Sequence, residues 1–245
     1  MDAELGGKTA LVTGGGSGIG LGVALALARE GCRVAISGRD PEKLARAAKR
    51  FAGEPRIQFH PCDVRDRAQV DRLFAWFRES FDRLDILVLS AGVNVARRKM
   101  GELDPADFDR ILATNATGVY NCLRVALPGM RERRSGLVVI ISSIAGKRAL
   151  PLAGPAYCAS KFAATALGTA VGLEERPNGI RVTNIYPGEV NTPILAERPV
   201  PVPEEKKARM VQPEDIGACV VLLAKLPERV IVPELVITPL YQEYL

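Results

Sequence analysis

Short apolar runs alternate along the chain with longer stretches in which apolar residues recur every three or four positions. The uninterrupted run Leu137–Ile141 is typical of a strand that is covered on both faces, and the longer stretches have the spacing of amphipathic helices. The predicted strands are Thr9–Thr13, Arg33–Ser37, Ile57–His60, Ile86–Leu89, Leu137–Ile141, Arg181–Tyr186 and Glu234–Thr238. The predicted helices are Ile19–Arg29, Pro41–Phe51, Arg67–Ser80, one that opens at Asp104-Pro105, Thr117–Arg133 with its end disturbed at Pro128-Gly129, Ala156–Arg176 and Pro213–Leu226.

This alternation of strand and helix implies right-handed crossovers between parallel strands. It predicts an α/β fold, a Rossmann-type doubly wound parallel sheet of about seven strands with helices on both faces. A length of 245 residues suits one such domain over residues 1–245. The segment from Pro193 to Pro213 holds five prolines and a charged run. It is either a surface loop or a substrate lid over about 193–212.

Composition narrows the class of protein. Hydrophobic residues make up 47% and charged residues 25%, and the net charge of +5 is spread along the chain, so we expect no nucleic-acid partner. Five scattered cysteines and one histidine predict reduced thiols and no metal site. No apolar run approaches the roughly 20 residues of a membrane span, and the N-terminus does not resemble a signal peptide. We therefore expect a soluble, cytoplasmic protein with no membrane partner.

A glycine cluster follows the first predicted strand and opens the first helix. Glycines let the backbone turn sharply and approach a phosphate, and a helix N-terminus offers free N–H groups to it. A merely flexible turn is the alternative, but the position between strand and helix favours a dinucleotide site. The expected phosphate-binding residues are Gly14, Gly16, Ser17, Gly18, Ile19 and Gly20.

The end of the second predicted strand bears on the choice of nucleotide. NAD sites usually carry an acidic residue here, whereas Gly38 and Arg39 stand in this chain. A guanidinium can bind a 2′-phosphate, so the sequence favours NADP over NAD. Asp40 is expected to cap the next helix and to turn away from the nucleotide. An exposed surface arginine is the alternative for Arg39.

The candidate chemistry lies in a Tyr157–Lys161 pair, four residues apart on one helix face. A nearby ammonium lowers the pKa of a phenol, which makes the tyrosine usable as a general acid and base. Such a pair also arises by chance on surface helices. Here Ser143 ends the predicted strand fourteen residues earlier, where a hydroxyl can bind a substrate oxygen. Ser142 is the alternative serine, and Asn115 adds a polar side chain within a helical stretch.

These motifs, in this order and spacing, resemble the short-chain dehydrogenase/reductase family. The resemblance runs from about Gly7 to Thr192. It implies that Tyr157 transfers the proton, Lys161 lowers the pKa of Tyr157 and binds the ribose, Ser143 orients the substrate oxygen and Asn115 holds a water. It also implies cofactor contacts from Asp63 and Val64 at the adenine, from Ala91, Gly92 and Thr192, and from the Pro187, Gly188 and Val190 loop.

Two positions depart from the family pattern. Ser90 stands where asparagine is usual, and the Ser143-to-Tyr157 spacing is one residue longer than the commonest one. The resemblance further implies a homodimer or homotetramer, in which the tail from Leu240 to Leu245 either joins an interface or frays.

The implied function is interconversion of an alcohol and a carbonyl with NADP(H). A dehydratase or epimerase is a rival that the full Asn–Ser–Tyr–Lys set disfavours, and a catalytically silent NADP-binding redox sensor is the rival from another class. The cationic clusters at 97–99 and 147–148 either bind an anionic group of the substrate or are solvated loop charges. Apolar residues could equally hold a hydrophobic ketone, namely Leu150, Pro151, Leu152, Ile194 and Leu195.

Overall fold

A computed structural model, which describes residues 4–243, contains one sheet of seven strands in the order β3-β2-β1-β4-β5-β6-β7. The strands are β1 Thr9–Thr13, β2 Arg33–Gly38, β3 Gln58–Pro61, β4 Ile86–Leu89, β5 Gly136–Ile141, β6 Ile180–Pro187 and β7 Glu234–Ile237. Every neighbouring pair of strands is parallel. The predicted fold class is confirmed.

Helices cover both faces of this sheet. They are α1 Gly18–Arg29, α2 Pro41–Ala48, α3 Arg67–Phe81, α4 Pro105–Leu112, α5 Gly118–Arg133, α6 Pro155–Glu175, α7 Glu204–Arg209 and α8 Pro213–Lys225. Aspartates cap three of them, because the side chains of Asp40, Asp66 and Asp104 accept hydrogen bonds from backbone N–H groups of the first turns. Between residues 4 and 243, no helix combines the length and apolar character that a bilayer crossing requires.

The central strands β1, β4 and β5 are almost wholly apolar because each has a core on either side. On β1, Ala10 and Val12 pack into one core with residues of α1, α2 and α8, whereas Leu11 points into the other with residues of α3, α5 and α6. Successive side chains of a strand point to opposite faces, so a strand buried on both faces shows no polar alternation.

The strand order reverses at β1, whose neighbours are β2 on one side and β4 on the other. The carboxyl ends of the strands around such a switch point form a crevice that binds ligands. The segments that follow β1, β4, β5 and β6 carry the glycine cluster, Ser90, Ser143 and Gly188. The fold therefore brings together motifs that are far apart in the chain.

The stretch from α4 to α5 differs from its prediction in two ways. A π-helical turn at Ala113–Thr117 joins the two helices, which the sequence analysis missed. The expected disturbance at Pro128 was wrong, since α5 runs on to Arg133. Leu127 and Met130, on either side of the proline, are buried in the core, and this packing holds the helix together despite the missing N–H.

The lid segment, defined as residues 193–212, is not a featureless loop. A 3₁₀ turn spans Pro193–Glu197, α7 follows, and Val190 and Val211 pair in an isolated bridge that closes the segment. The tail folds back beside it, where the N–H of Glu189 donates to Gln242 Oε1 at 2.8 Å. The last two positions of the predicted tail, 244–245, lie outside the described residues.

Candidate active site

A cavity of about 490 Å³ opens at the carboxyl ends of β1, β4, β5 and β6. The predicted site residues that line it are Gly14, Ser17, Gly18, Ile19, Arg39, Gly92, Ser143, Tyr157, Lys161, Pro187, Gly188, Val190 and Thr192. Those absent from its lining are Gly16, Gly20, Asp63, Val64, Ala91 and Asn115. Most of the predicted site residues thus line one cavity.

The glycine loop at one end of the cavity depends on missing side chains. Gly14 has φ +68°, and a Cβ there would lie 2.8 Å from the Cα of Ala91. Gly18 has φ +53°, with Thr192 3.2 Å from the position of a Cβ. Ser17 begins α1 without a side-chain capping bond, so the first N–H groups of that helix remain available. This cradle fits the phosphates of a dinucleotide.

Two cations line the same end of the cavity. Arg39 and Lys43 are both exposed there, at the end of β2 and in the first turn of α2. Asp40 accepts from the N–H of Lys43 at 3.0 Å, so its carboxylate is used as the predicted helix cap. Lys43 was not singled out from the sequence, although its place three residues after the cap puts it in the first turn.

Asp63 and Val64 do not line the cavity. The Asp63 carboxylate accepts from Arg65 Nε at 2.9 Å, and this guanidinium holds the pKa of Asp63 below its usual range. Val64 is buried, and a Cβ on Gly118 would lie 2.6 Å from its Cγ2. The predicted adenine contact of Asp63 would therefore involve a carboxylate that already binds an arginine.

Asn115, in the π-helical turn, fastens the segment after β4 to α6. Its Oδ1 accepts from the N–H of Val93 at 2.8 Å, and its Nδ2 donates to the Val93 carbonyl and to Ser160 Oγ, both at 3.0 Å. Both amide hydrogens have protein acceptors. The geometry therefore gives the side-chain amide a positioning role, whereas the family resemblance implied that Asn115 holds a water.

The two serines after β5 point in different directions. Ser142 is buried, and its hydroxyl lies 3.2 Å from the carbonyl of Lys161 and 2.9 Å from Thr165 Oγ1. Ser143 is partly exposed and accepts from the N–H of Ala145 at 3.1 Å. A hydrogen bond between its hydroxyl and that of Tyr157 acts to lower the pKa of Tyr157. This placement favours Ser143 as the serine next to the reacting group.

Tyr157 and Lys161 lie on one face of α6, with the Lys161 ammonium 5.6 Å from the centre of the tyrosine ring. Lys161 is 5% exposed and donates to the Ile141 carbonyl at 2.8 Å. Burial lowers the pKa of Lys161 to about 8.

The pKa of Tyr157 does not follow the simplest expectation. The sequence predicted a value lowered by Lys161, but burial raises the pKa of Tyr157 to about 12. The Ser143 hydroxyl and the positive charge of Arg98 act in the opposite direction without cancelling the effect of burial. With the protein's own groups alone, Tyr157 is therefore a protonated donor at neutral pH.

Of the cationic cluster at 97–99, only Arg98 turns inward. It is 7% exposed and lines the cavity, whereas Arg97 and Lys99 are exposed and do not. In the second cluster, Lys147 pairs with Glu234 away from the cavity. Four of the five apolar residues predicted near the substrate do line the cavity, namely Leu150, Leu152, Ile194 and Leu195.

Glu189 joins the lid segment and the tail to the loop after β6. Its carboxylate accepts from Arg198 at 2.8 Å, from Lys206 at 3.1 Å and from Tyr241 Oη at 2.7 Å. Burial alone would raise the pKa of Glu189, but these three hydrogen bonds together hold it below its usual range. Sequence reasoning missed this carboxylate, since its partners lie 9, 17 and 52 residues away.

The comparisons agree with this geometry. The family model described as short chain dehydrogenase matches residues 8–200. A glycine betaine reductase of Emericella nidulans is 37% identical over 241 residues, which is 96% of this chain, whereas the chain spans only 19% of that relative's length.

Two solved structures are similar over nearly their whole length. The alcohol dehydrogenase from the archaeon Thermococcus sibiricus, complexed with 5-hydroxy-NADP, has a TM-score of 0.86 at 30% identity and covers 97% of this chain and 98% of its own. A 3-ketoacyl-(acyl-carrier-protein) reductase from Brucella melitensis, complexed with NADH, has a TM-score of 0.86 at 28% identity and covers 96% and 98%. Together with the match over residues 8–200, these findings identify the chain as an oxidoreductase of the short-chain dehydrogenase/reductase family.

Proposed function

We propose that the protein interconverts a secondary alcohol and a ketone, or the corresponding aldehyde or keto acid, with NADP(H), and that Tyr157 is the general acid and base. One observation carries the proposal. The Tyr157 hydroxyl, Ser143 and Lys161 line the same cavity as the glycine loop, so a dinucleotide held at one end would reach a substrate at the other.

The nicotinamide cofactor, when bound, supplies or accepts the hydride. In the direction of reduction, Tyr157 donates its hydroxyl proton to the substrate oxygen, and Ser143 holds that oxygen in place. With a pKa of about 12, the Tyr157 hydroxyl is protonated at neutral pH before the reduction step. Alcohol oxidation uses the phenolate of Tyr157, so its rate should rise with pH.

Lys161 supports proton transfer by Tyr157 through its position and its positive charge. Its Nζ donates to Ile141 at the end of β5 and lies 3.6 Å from the position that a Cβ of Gly92 would occupy. The ammonium is thus fixed between the two strand ends that flank the reaction site. With a pKa of about 8, Lys161 is mostly charged at neutral pH and supports a developing phenolate.

Arg39 and Lys43 support NADP over NAD. Two cations line the cavity where the second strand ends, and the nearest carboxylate in sequence, Asp40, caps α2. A 2′-phosphate would add two negative charges beside these cations, whereas the 2′-hydroxyl of NAD would add none.

The first experiment is a fluorescence titration of the protein with NADPH and NADH, followed by cofactor oxidation against a panel of ketones, aldehydes and keto acids. We expect NADPH to bind at least about 10-fold more tightly than NADH, and Arg39→Ala to remove most of that difference. Equal affinity for the two nucleotides would contradict the choice of NADP.

Tyr157→Phe tests the chemical step. We expect the variant to bind NADPH normally but to lose about 10²- to 10⁴-fold of the carbonyl-dependent rate, because the proton donor is gone. Tyr120→Phe, at an exposed tyrosine of α5, is the matched control and should keep full activity. Binding without turnover on any carbonyl would favour the redox-sensor alternative.

The homodimer or homotetramer implied by the resemblance stays a prediction, which light scattering would test.

A further inference from the structure

Arg98 is a buried cation with no counter-ion. Its side chain lines the cavity, yet among residues 4–243 no carboxylate lies within ion-pairing distance of it. Taking a guanidinium out of water without a paired anion is costly, so buried arginines are normally matched by a negative charge. Burial accordingly holds the pKa of Arg98 below its usual value.

The bonds that Arg98 does make are to neutral backbone carbonyls. Nε donates to Val95 at 2.7 Å, Nη1 donates to Leu152 at 3.2 Å, and Nη2 donates to Glu197 in the lid segment. An arginine has five N–H donors, so one hydrogen on each terminal nitrogen remains without an acceptor in the described part of the chain. Donors on the two terminal nitrogens of a planar guanidinium can bind a carboxylate.

Arg198 and Arg110, which also line the cavity, each have a carboxylate partner. Arg198 pairs with Glu189 at 2.8 Å, and Arg110 pairs with Asp107 at 2.7 Å. Glu197 contributes a backbone carbonyl to Arg98, and its carboxylate acts on Arg98 only from beyond ion-pairing distance. Besides the Lys161 ammonium, Arg98 is therefore a positive charge that acts on Tyr157.

We infer that the substrate carries a carboxylate, and that the two remaining donors of Arg98 bind it while the carbonyl to be reduced faces Tyr157. The inference rests on the proposed function and makes it narrower: the reaction is oxo acid to hydroxy acid and its reverse. In reduction the carbonyl carbon gains a hydride from NADPH, its oxygen gains the Tyr157 proton, and the carboxylate keeps its bonds and its charge.

The competing role for Arg98 is purely structural. By binding carbonyls of three segments, it joins the loop after β4, the loop before α6 and the lid segment. A structural arginine would support acids and neutral ketones alike, whereas a carboxylate-binding arginine would support acids alone. The two roles therefore separate on the charge of the substrate.

The experiment compares short 2-, 3- and 4-oxo acids with their methyl esters at saturating NADPH. We expect kcat/KM of the wild type to be at least about 10-fold higher for the best acid than for its ester. Arg98→Met should lower kcat/KM for the acid at least about 10-fold more than for the ester, whose own loss reports the structural role of Arg98, and Arg98→Lys should restore part of the difference. Arg97→Met, at the exposed neighbour, is the matched control and should change neither.

A binding measurement supplements the rates. Calorimetric titration of the protein–NADPH complex with the matching hydroxy acid should show binding that Arg98→Met weakens about as much as it lowers kcat/KM. Reduction of esters or neutral ketones as well as or better than every acid would overturn the inference and leave the proposed function standing, as would equal losses for acid and ester in Arg98→Met. No carbonyl-dependent oxidation with any compound would overturn the proposed function, and this inference with it.

Discussion

The two ends of the cavity are built in opposite ways. The phosphate-binding loop at one end is backbone from one contiguous stretch, in which Gly14 and Gly18 take positive φ values and the first turn of α1 presents its N–H groups. The reaction end consists of side chains such as Ser143, Tyr157 and Arg98, which come from separate segments. The first end requires the absence of side chains, and the second requires their convergence.

This difference implies different failures on mutation. A side chain added at the phosphate end meets backbone, which cannot move away, so the fold and the nucleotide site should be damaged together. A side chain changed at the reaction end removes one contact or charge within an intact fold. Three predictions test this contrast, beginning with the largest effect.

Gly14→Ala should be the most damaging. The alanine would have to adopt φ +68° and place its Cβ 2.8 Å from the backbone of Ala91. Strain and overlap together should lower the free energy of unfolding by about 2–4 kcal/mol and abolish NADPH binding. Denaturant unfolding and fluorescence titration would measure this. Gly101→Ala, where a Cβ would meet nothing within 4 Å, is the control; equal stability of the two variants would refute the account of the phosphate end.

Lys161→Met should change how stability depends on pH. Burial lowers the pKa of Lys161 to about 8, against about 10.4 in the unfolded chain, so between these values the unfolded state binds more protons. The contribution of Lys161 to the free energy of unfolding should therefore rise with pH across this window, by up to about 3 kcal/mol. Relative to Lys161→Met, the wild type should gain this stability as the pH rises, as measured by urea unfolding of both proteins at several pH values.

Lys49→Met, at an exposed lysine, is the control for that series. Its free energy of unfolding should depend on pH as that of the wild type does. Tyr157 acts in the opposite direction at higher pH. Its pKa of about 12 lies above the usual value near 10, so between those values the folded state binds more protons and stability should fall. A stability difference between the wild type and Lys161→Met that stays constant from pH 8 to 10 would contradict a buried, titrating Lys161.

Glu189→Gln should have the smallest effect. The amide keeps hydrogen-bonding capacity but loses the charge that holds Arg198 and Lys206, so the lid segment should loosen while the fold stays intact. We expect KM for the carbonyl to rise about 3- to 10-fold with little change in kcat. Glu204→Gln, in the same segment, removes an exposed ion pair and should alter neither constant. The Glu189 cluster comprises this carboxylate with Arg198, Lys206 and Tyr241. An unchanged KM in Glu189→Gln would mean that the Glu189 cluster does not hold the lid segment.

The contrast between the two ends also explains what could be predicted from the sequence. The fold could be predicted from the apolar periodicity. The sharp turn at the glycine cluster could also be predicted, because glycine readily adopts the positive φ values that such a turn requires. The inward turn of Arg98 could not be distinguished from that of Arg97 or Lys99, since a loop has no periodicity. Glu189 was missed because its partners are distant in sequence, and the pKa of Tyr157 depends on burial, which spacing does not reveal.

The Glu189 cluster also sets a direction for opening the lid segment as ionic strength increases. Lys206 is 43% exposed, whereas Arg198 is 15% exposed beside the same carboxylate. Dissolved salt screens exposed pairs more than buried ones, so the Lys206 contact weakens first. The segment should then loosen at α7 before it loosens at the 3₁₀ turn Pro193–Glu197. Hydrogen exchange in concentrated salt should accelerate over 204–209 before it accelerates over 193–197, widening the cavity mouth from one side.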